Sequence, residues 1–114
     1  MKSERIQKAQ SISKKIISEY IVTELQELSI DHGLITVTHT KISQDLWYID
    51  TYVSCLNNPE KLCKSLAEYA HVIQRVLAKK IDFLKVPRLR FRYDESGESS
   101  SEIYKTIKDL DIQP

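Results

Sequence analysis

Between Asn58 and Asp94 the hydrophobic period changes from helical to extended, and that change constrains the whole chain. Leu62, Leu66, Tyr69, Ile73, Leu77 and Ile81 recur at steps of three and four, which draws one apolar stripe along a helical run facing a core. Asn58 stands where an N-cap side chain would accept from the first free amides. Pro59 at the first helical position sacrifices nothing, because its missing amide would be unpaired anyway. Val86-Pro87 ends the run, since proline disfavours helical geometry in the residue before it. From Arg88 to Tyr93 basic and apolar residues alternate with period two, so Leu89, Phe91 and Tyr93 are predicted to face inward and Arg88, Arg90 and Arg92 outward.

Upstream, Ser3 is placed to cap a first helix running to about Leu28. Its apolar stripe reads Ile6, Ala9, Ile16, Ile17, Tyr20, Ile21 and Leu28, with Ile12 and Leu25 beside it. Gly33 punctuates the chain. The β-branched content from Leu34 to Ile42 marks a strand, although Val37 and Ile42 have opposite parity and share a face only if a bulge lies between them. Ser43-Gln44-Asp45 is a turn by composition. Leu46 to Cys55 follows as a second strand, with Trp47, Ile49, Thr51, Val53 and Cys55 on one face and Tyr48, Asp50 and Tyr52 on the other. After the arginine strand comes a polar loop, and Ser99 with Glu102 has capping-box spacing ahead of Ile103, Ile107 and Leu110, which predicts a short final helix. A turn between the first two strands makes them antiparallel, and a right-handed helical crossover makes the last two parallel. The expected class is α+β, a mixed three-stranded sheet with helices on one face.

A length of 114 residues suits a single domain over 1–114 that needs neither disulfide nor metal to hold a core. With 41% hydrophobic and 29% charged residues and only two glycines, the composition argues against disorder. No apolar run approaches a membrane span, and the N-terminus leads into an amphipathic helix with no signal-peptide pattern, so a cytoplasmic protein with no membrane partner is expected. Cys55 and Cys63 match no zinc spacing and read as small hydrophobes. The net charge of +1 conceals segregation: residues 64–92 carry eight basic against two acidic side chains, and residues 93–114 two against six. Over a Debye length of about 8 Å, such a basic segment attracts a polyanion whatever the total charge.

The run Val86-Pro87-Arg88-Leu89-Arg90-Phe91-Arg92-Tyr93-Asp94-Glu95-Ser96 resembles the Val-Pro-x-Leu-x-Phe-x-x-Asp-x-Ser signature of the ribosome-binding factor A family, bacterial small-subunit assembly factors. Gly33-Leu34-Ile35-Thr36-Val37-Thr38, Ser43-Gln44-Asp45-Leu46 and Tyr52-Val53-Ser54 resemble that family's first two strands and their turn, in the same order, so the resemblance spans about Ser3 to Leu110. Two departures stand out. Leu28-Ser29-Ile30-Asp31-His32-Gly33 replaces a Lys-Asp-Pro-Arg type of run, and Tyr69-Ala70-His71 replaces an Ala-x-Gly kink between two helices. The resemblance implies a type II KH-like fold with a kinked helix pair. It also implies a non-catalytic monomer that binds the free small (30S) ribosomal subunit and 16S rRNA during late maturation and rRNA processing, and leaves before translation.

Catalytic constellations are missing from the sequence. His32, His39 and His71 are scattered, no ligands stand at metal spacing, and two glycines cannot supply a phosphate-cradling loop. No cofactor, metal or small-molecule substrate is expected, and a small hydrolase using Cys55 or a histidine ranks a distant third. The GxxG loop of single-strand-binding KH domains is absent too, so any RNA contact must use basic side chains against phosphates. The candidates are Arg75, Lys79, Lys80 and Lys85 around the helix end, with Arg88, Arg90 and Arg92 on the last strand. Tyr48 and Tyr52 stand on the neighbouring outward face, able to stack on bases or on guanidinium groups. Lys8, Lys14 and Lys15 read first as a solvated helix face. The competing function is a protein-interaction module whose basic face meets an acidic partner.

Overall fold

The computed structural model describes residues 2–82 and 85–95. The elements are α1 (Lys2–Glu24), α2 (Leu28–His32), β1 (Ile35–Ile42), β2 (Tyr48–Cys55), α3 (Pro59–Ala67), α4 (Ala70–Lys80) and β3 (Arg88–Tyr93). The sheet order is β1-β2-β3, with β1 antiparallel and β3 parallel to the central β2. Helices α1, α3 and α4 pack on one face of it. This is the type II KH-like arrangement that the order of elements predicted. The expected helix from Ser99 to Leu110 lies outside the described residues.

The core is the meeting of three apolar patterns. Ile16, Ile17 and Ile21 come from α1 and Leu25 from the position just after it, Leu62, Leu66, Ile73 and Leu77 from α3 and α4, and Ile49, Val53 and Leu89 from the sheet, all buried. Removing each such side chain from water contributes roughly 1.5–3 kcal/mol, so the helical layer and the inner sheet face hold each other in place. The bulge demanded by the parity of the first strand sits at Thr38. Val37 pairs with Val53 and His39 already with Tyr52, leaving Thr38 as the extra residue. Ile35 and Val37 before it and Thr40 and Ile42 after it are therefore all buried.

Several boundaries depart from expectation. Helix α1 already includes Lys2, so Ser3 lies inside its first turn, and α1 ends at Glu24; the chain breaks before re-forming as the short α2. Asn58 is the N-cap of α3 but adopts φ 53° and makes no capping bond with its side chain, whose amide instead donates to Asp31 O at 2.9 Å. The long helical run is two helices, as the kinked pair implied by the resemblance requires, although the break at Glu68 and Tyr69 carries no glycine. Tyr69 at φ −104°, ψ 4° lies in a region open to any residue, its amide reaching Leu66 O at 2.9 Å in a tightened turn. α4 stops at Lys80, well before Val86-Pro87, because Ile81 turns extended (φ −123°, ψ 135°) and packs against the core. Trp47 does not join the inner face of β2. The strand begins at Tyr48, and Leu46 at φ 65° still belongs to the turn.

Among the described residues, Gly33 is the position where a glycine is required. Its φ 72°, ψ −146° is a conformation essentially restricted to glycine, and a Cβ there would meet Leu56 Cβ at 3.2 Å. The turn is tied to the far end of β2 by His32, whose carbonyl accepts from the amides of Leu56 (3.1 Å) and Asn57 (3.0 Å), and whose buried ring places Nδ1 3.1 Å from Asn57 O. Gly33→Ala should destabilise the fold by more than about 1 kcal/mol, read as a lowered urea midpoint. On β3, Leu89 is 4% exposed whereas Phe91 is only half-buried. Leu89→Ala should therefore cost about 3 kcal/mol and Phe91→Ala about 2 kcal/mol, beneath the usual cost of deleting a fully buried phenylalanine. Equal urea midpoints for the two variants would contradict this placement.

Candidate nucleic-acid interface

With the helices on one side, no described element covers the other face of the sheet. Strand register sets its side chains in rows. Lys41, Asp50 and Arg90 align across the three strands, His39, Tyr52 and Arg92 form the next row, and Tyr48 stands beside Arg88. Cross-strand neighbours on one face lie within side-chain reach, so these rows are also contacts. Arg90 clamps Asp50 with two parallel bonds, Nε to Oδ1 at 2.8 Å and a terminal nitrogen to Oδ2 at 3.2 Å, while its guanidinium lies over the Tyr48 ring at 3.8 Å. Arg92 Nε reaches the same Asp50 Oδ1 at 3.4 Å. Two arginines thus share one carboxylate, and the hydrogen bonding of Arg90 to the Asp50 carboxylate raises the pKa of Arg90 further. Arg88 is exposed and forms no ion pair among the described residues.

Tyr52 stacks on the His39 ring, centroids 4.2 Å apart and planes within 10°. His39 Nδ1 also lies 3.7 Å from Asp94 Oδ2, and the Thr38 hydroxyl at the bulge donates to the same Asp94 oxygen. Asp94 is buried and its amide donates to Val53 O at 2.8 Å, so the bulge and the end of β3 are bound to each other. The tyrosines face outward as expected, and each already has an intramolecular partner. What the face offers a ligand is a pre-positioned set of guanidinium donors with flat rings beside them, geometry suited to phosphate oxygens and planar groups.

The seven basic residues singled out by sequence do not form one cluster. Arg75 and Lys79 follow the buried Ile73 and Leu77 by two positions, which turns them to the solvent side of α4, away from the sheet. Lys80 and Lys85 stand at the edge near the β1–β2 turn, where Lys85 Nζ lies 3.9 Å from the Trp47 ring centroid. Arg88, Arg90 and Arg92 share the open face. Sequence reasoning missed Asp50 as the hub of that face and Lys41 as its neighbour; both had the right parity, but only the strand register shows which residues meet. Among the described residues no group of three His, Cys, Asp or Glu side chains is placed to hold a metal ion, and no helix is long and apolar enough to cross a membrane. Cys55 Sγ donates to Asn57 O at 3.1 Å, and burial pushes the Cys63 thiol up.

Comparison with known proteins places this architecture. A family model described as "Ribosome-binding factor A" matches residues 5–107. Ribosome-binding factor A of Natranaerobius thermophilus is 31% identical, covering 98% of this chain and 86% of its own length. The crystal structure of ribosome-binding factor A from Thermus thermophilus superposes with a TM-score of 0.65 at 22% identity, over 77% of this chain and 94% of that one. A homology model of the Thermus thermophilus protein, as fitted into a cryo-EM map of its complex with the 30S subunit, gives a TM-score of 0.62 at 23% identity, over 75% and 91% of the two chains. At such identities the solved structures speak for the shared fold, while the family match over nearly the whole chain decides kinship: this protein belongs to the ribosome-binding factor A family.

Proposed function

We propose that this protein binds the free small ribosomal subunit during its assembly, acting as a cytoplasmic monomer that contacts 16S rRNA through phosphates and carries out no reaction of its own. Family membership supports the ribosome as target, and the Thermus thermophilus relative is described in complex with the 30S subunit. The observation that carries the mode of binding is the sheet face that no described element covers, where Lys41, Arg88, Arg90 and Arg92 outnumber the carboxylates of Asp50 and the buried Asp94. Within that face Arg88 is the most available donor. Arg90, held by Asp50 and Tyr48, serves as a fixed positive group whose remaining donors are already aimed, and Arg92 is half committed. Lys80 and Lys85 at the turn edge extend the surface, and Arg75 and Lys79 on the back of α4 supply long-range attraction more than shared contact. Timing late in maturation and support of rRNA end processing complete the reading, by kinship.

Affinity for purified immature small subunits should fall steeply between low and physiological salt. About six phosphate contacts at about −0.7 each give a log–log slope near −4. Arg88→Ala with Arg92→Ala should flatten that slope by about 1 to 1.5 and weaken unrelated RNAs to a similar degree, because phosphate contacts carry no base information. A shallow slope unmoved by these changes removes the arginines from the interface, and a pull-down dominated by an acidic protein replaces RNA as the target. Asp50→Asn removes the shared carboxylate and should have the opposite effect, tightening RNA binding and steepening the slope by up to about 0.7.

A further inference from the structure

Where the first turns of α1, the β1–β2 turn and the end of α4 meet, a groove of about 810 Å³ opens to solvent, within the size range of small-molecule sites. Its floor is apolar, formed by Ile6, Ala9, Ile42 and Ile81. Trp47 stands on its wall, 56% exposed. The turn that carries this indole is tightly organised. Asp45 Oδ1 accepts from the Ser43 hydroxyl at 2.6 Å and the Trp47 amide at 3.0 Å, Ser43 Oγ accepts from the Tyr48 amide at 3.1 Å, and the Trp47 carbonyl accepts from the Arg88 amide at 2.7 Å. A large aromatic ring held in solvent by so many backbone constraints contributes little to the core and is placed to meet a ligand. On the rim, Arg5, Lys8, Lys80 and Lys85 set four cations against the carboxylates of Asp45 and Asp82, and Asp45 is already occupied by the turn.

We propose that this groove takes an unpaired nucleotide of single-stranded RNA, its base stacked on Trp47 and its phosphates met by Lys8, Lys80 and Lys85. The inference deepens the rRNA reading above and rests on it. An anion matches the excess of cations, and a flat heterocycle matches the indole and the apolar floor. Stacking of a base on an aromatic ring outweighs an exposed cation–π contact, so the base displaces the Lys85 ammonium from the ring and frees it for a phosphate. Recognition of this kind tolerates any base and favours those that stack best, adenine over uracil. The site is separate from the arginine rows of the open sheet face, and it explains how a KH-like domain without a GxxG loop can hold an unpaired strand.

Trp47 is the only tryptophan in the chain, so its emission reports the site directly. The full-length protein is titrated with dye-labelled hexa-adenylate, following indole emission and dye anisotropy together. Saturable quenching with the same midpoint as the anisotropy rise is expected, with weaker binding of hexa-uridylate. Trp47→Ala should lower affinity about tenfold, Trp47→Phe should keep most of it, and neither should shift the melting temperature appreciably, since the ring is exposed. Lys80→Ala with Lys85→Ala should weaken binding and flatten its salt dependence. Anisotropy that rises with no change in emission, and at wild-type affinity in Trp47→Ala, overturns the groove while leaving the rRNA reading standing. Failure to bind both the oligonucleotides and purified small subunits overturns both. Emission that changes with protein concentration alone assigns the groove to a second copy of the chain and overturns the nucleotide.

Discussion

The alternation of β2 is the constraint on which both faces of this protein depend. It is the central strand, hydrogen-bonded antiparallel on one side and parallel on the other, so none of its residues can slip without breaking two ladders. Ile49, Thr51 and Val53 are fully buried beneath the helices, and that burial forces Tyr48, Asp50 and Tyr52 outward with equal rigidity. A one-residue shift would exchange core and surface sets, at a cost no surface interaction could offset. Which residues lie on the outer face is therefore fixed as firmly as the core, although nothing described packs upon it.

Order on that face is reinforced by charge. Three arginines on alternate positions of one strand would repel each other, and the Asp50 carboxylate between two of them relieves this while fixing the Arg90 guanidinium against Tyr48. Asp50 reduces the attraction for a polyanion, yet a donor held in place loses less side-chain freedom when it meets a phosphate. The face trades some long-range field for geometry. Thr38, His39 and Asp94 join the bulge of β1 to the end of β3 across the central strand. The Asp94 of the family-like signature thus has a structural duty in this chain, as the acceptor that anchors the bulge.

The basic residues of the 64–92 segment surround the domain instead of lying in one patch. The open sheet presents the arginines, the turn edge presents Lys80 and Lys85 around Trp47, and the back of α4 presents Arg75 and Lys79. A protein of this kind can touch separated phosphates on a folded RNA from more than one side. Binding that depends on such a spread of contacts reads the shape of the target and not a linear sequence.

Sequence alone determined whatever depends on local periodicity. The stripe from Leu62 to Leu77, the alternation from Arg88 to Tyr93 and the order of elements sufficed for the α+β class and for the inward and outward residues of β3, because burial of one face imposes a period that survives in the sequence. The need for a bulge was legible from the opposed parity of Val37 and Ile42. Its position was not, because Thr38 is chosen by hydrogen bonds to Asp94 and Tyr52, distant in the chain. The helix break at Glu68 and Tyr69 was expected from the family resemblance alone and no local residue marks it, since Tyr69 needs no special residue for its backbone angles and only the need of α3 and α4 to bury Leu66 and Ile73 against one sheet demands a turn there. Trp47 read as an inner strand residue until the Asp45 and Leu46 turn held it in solvent. The meeting of Asp50 with Arg90 and Arg92 belongs wholly to the tertiary structure, because parallel register between β2 and β3 is set by how far the helical crossover carries the chain, and no pattern within either strand encodes that distance.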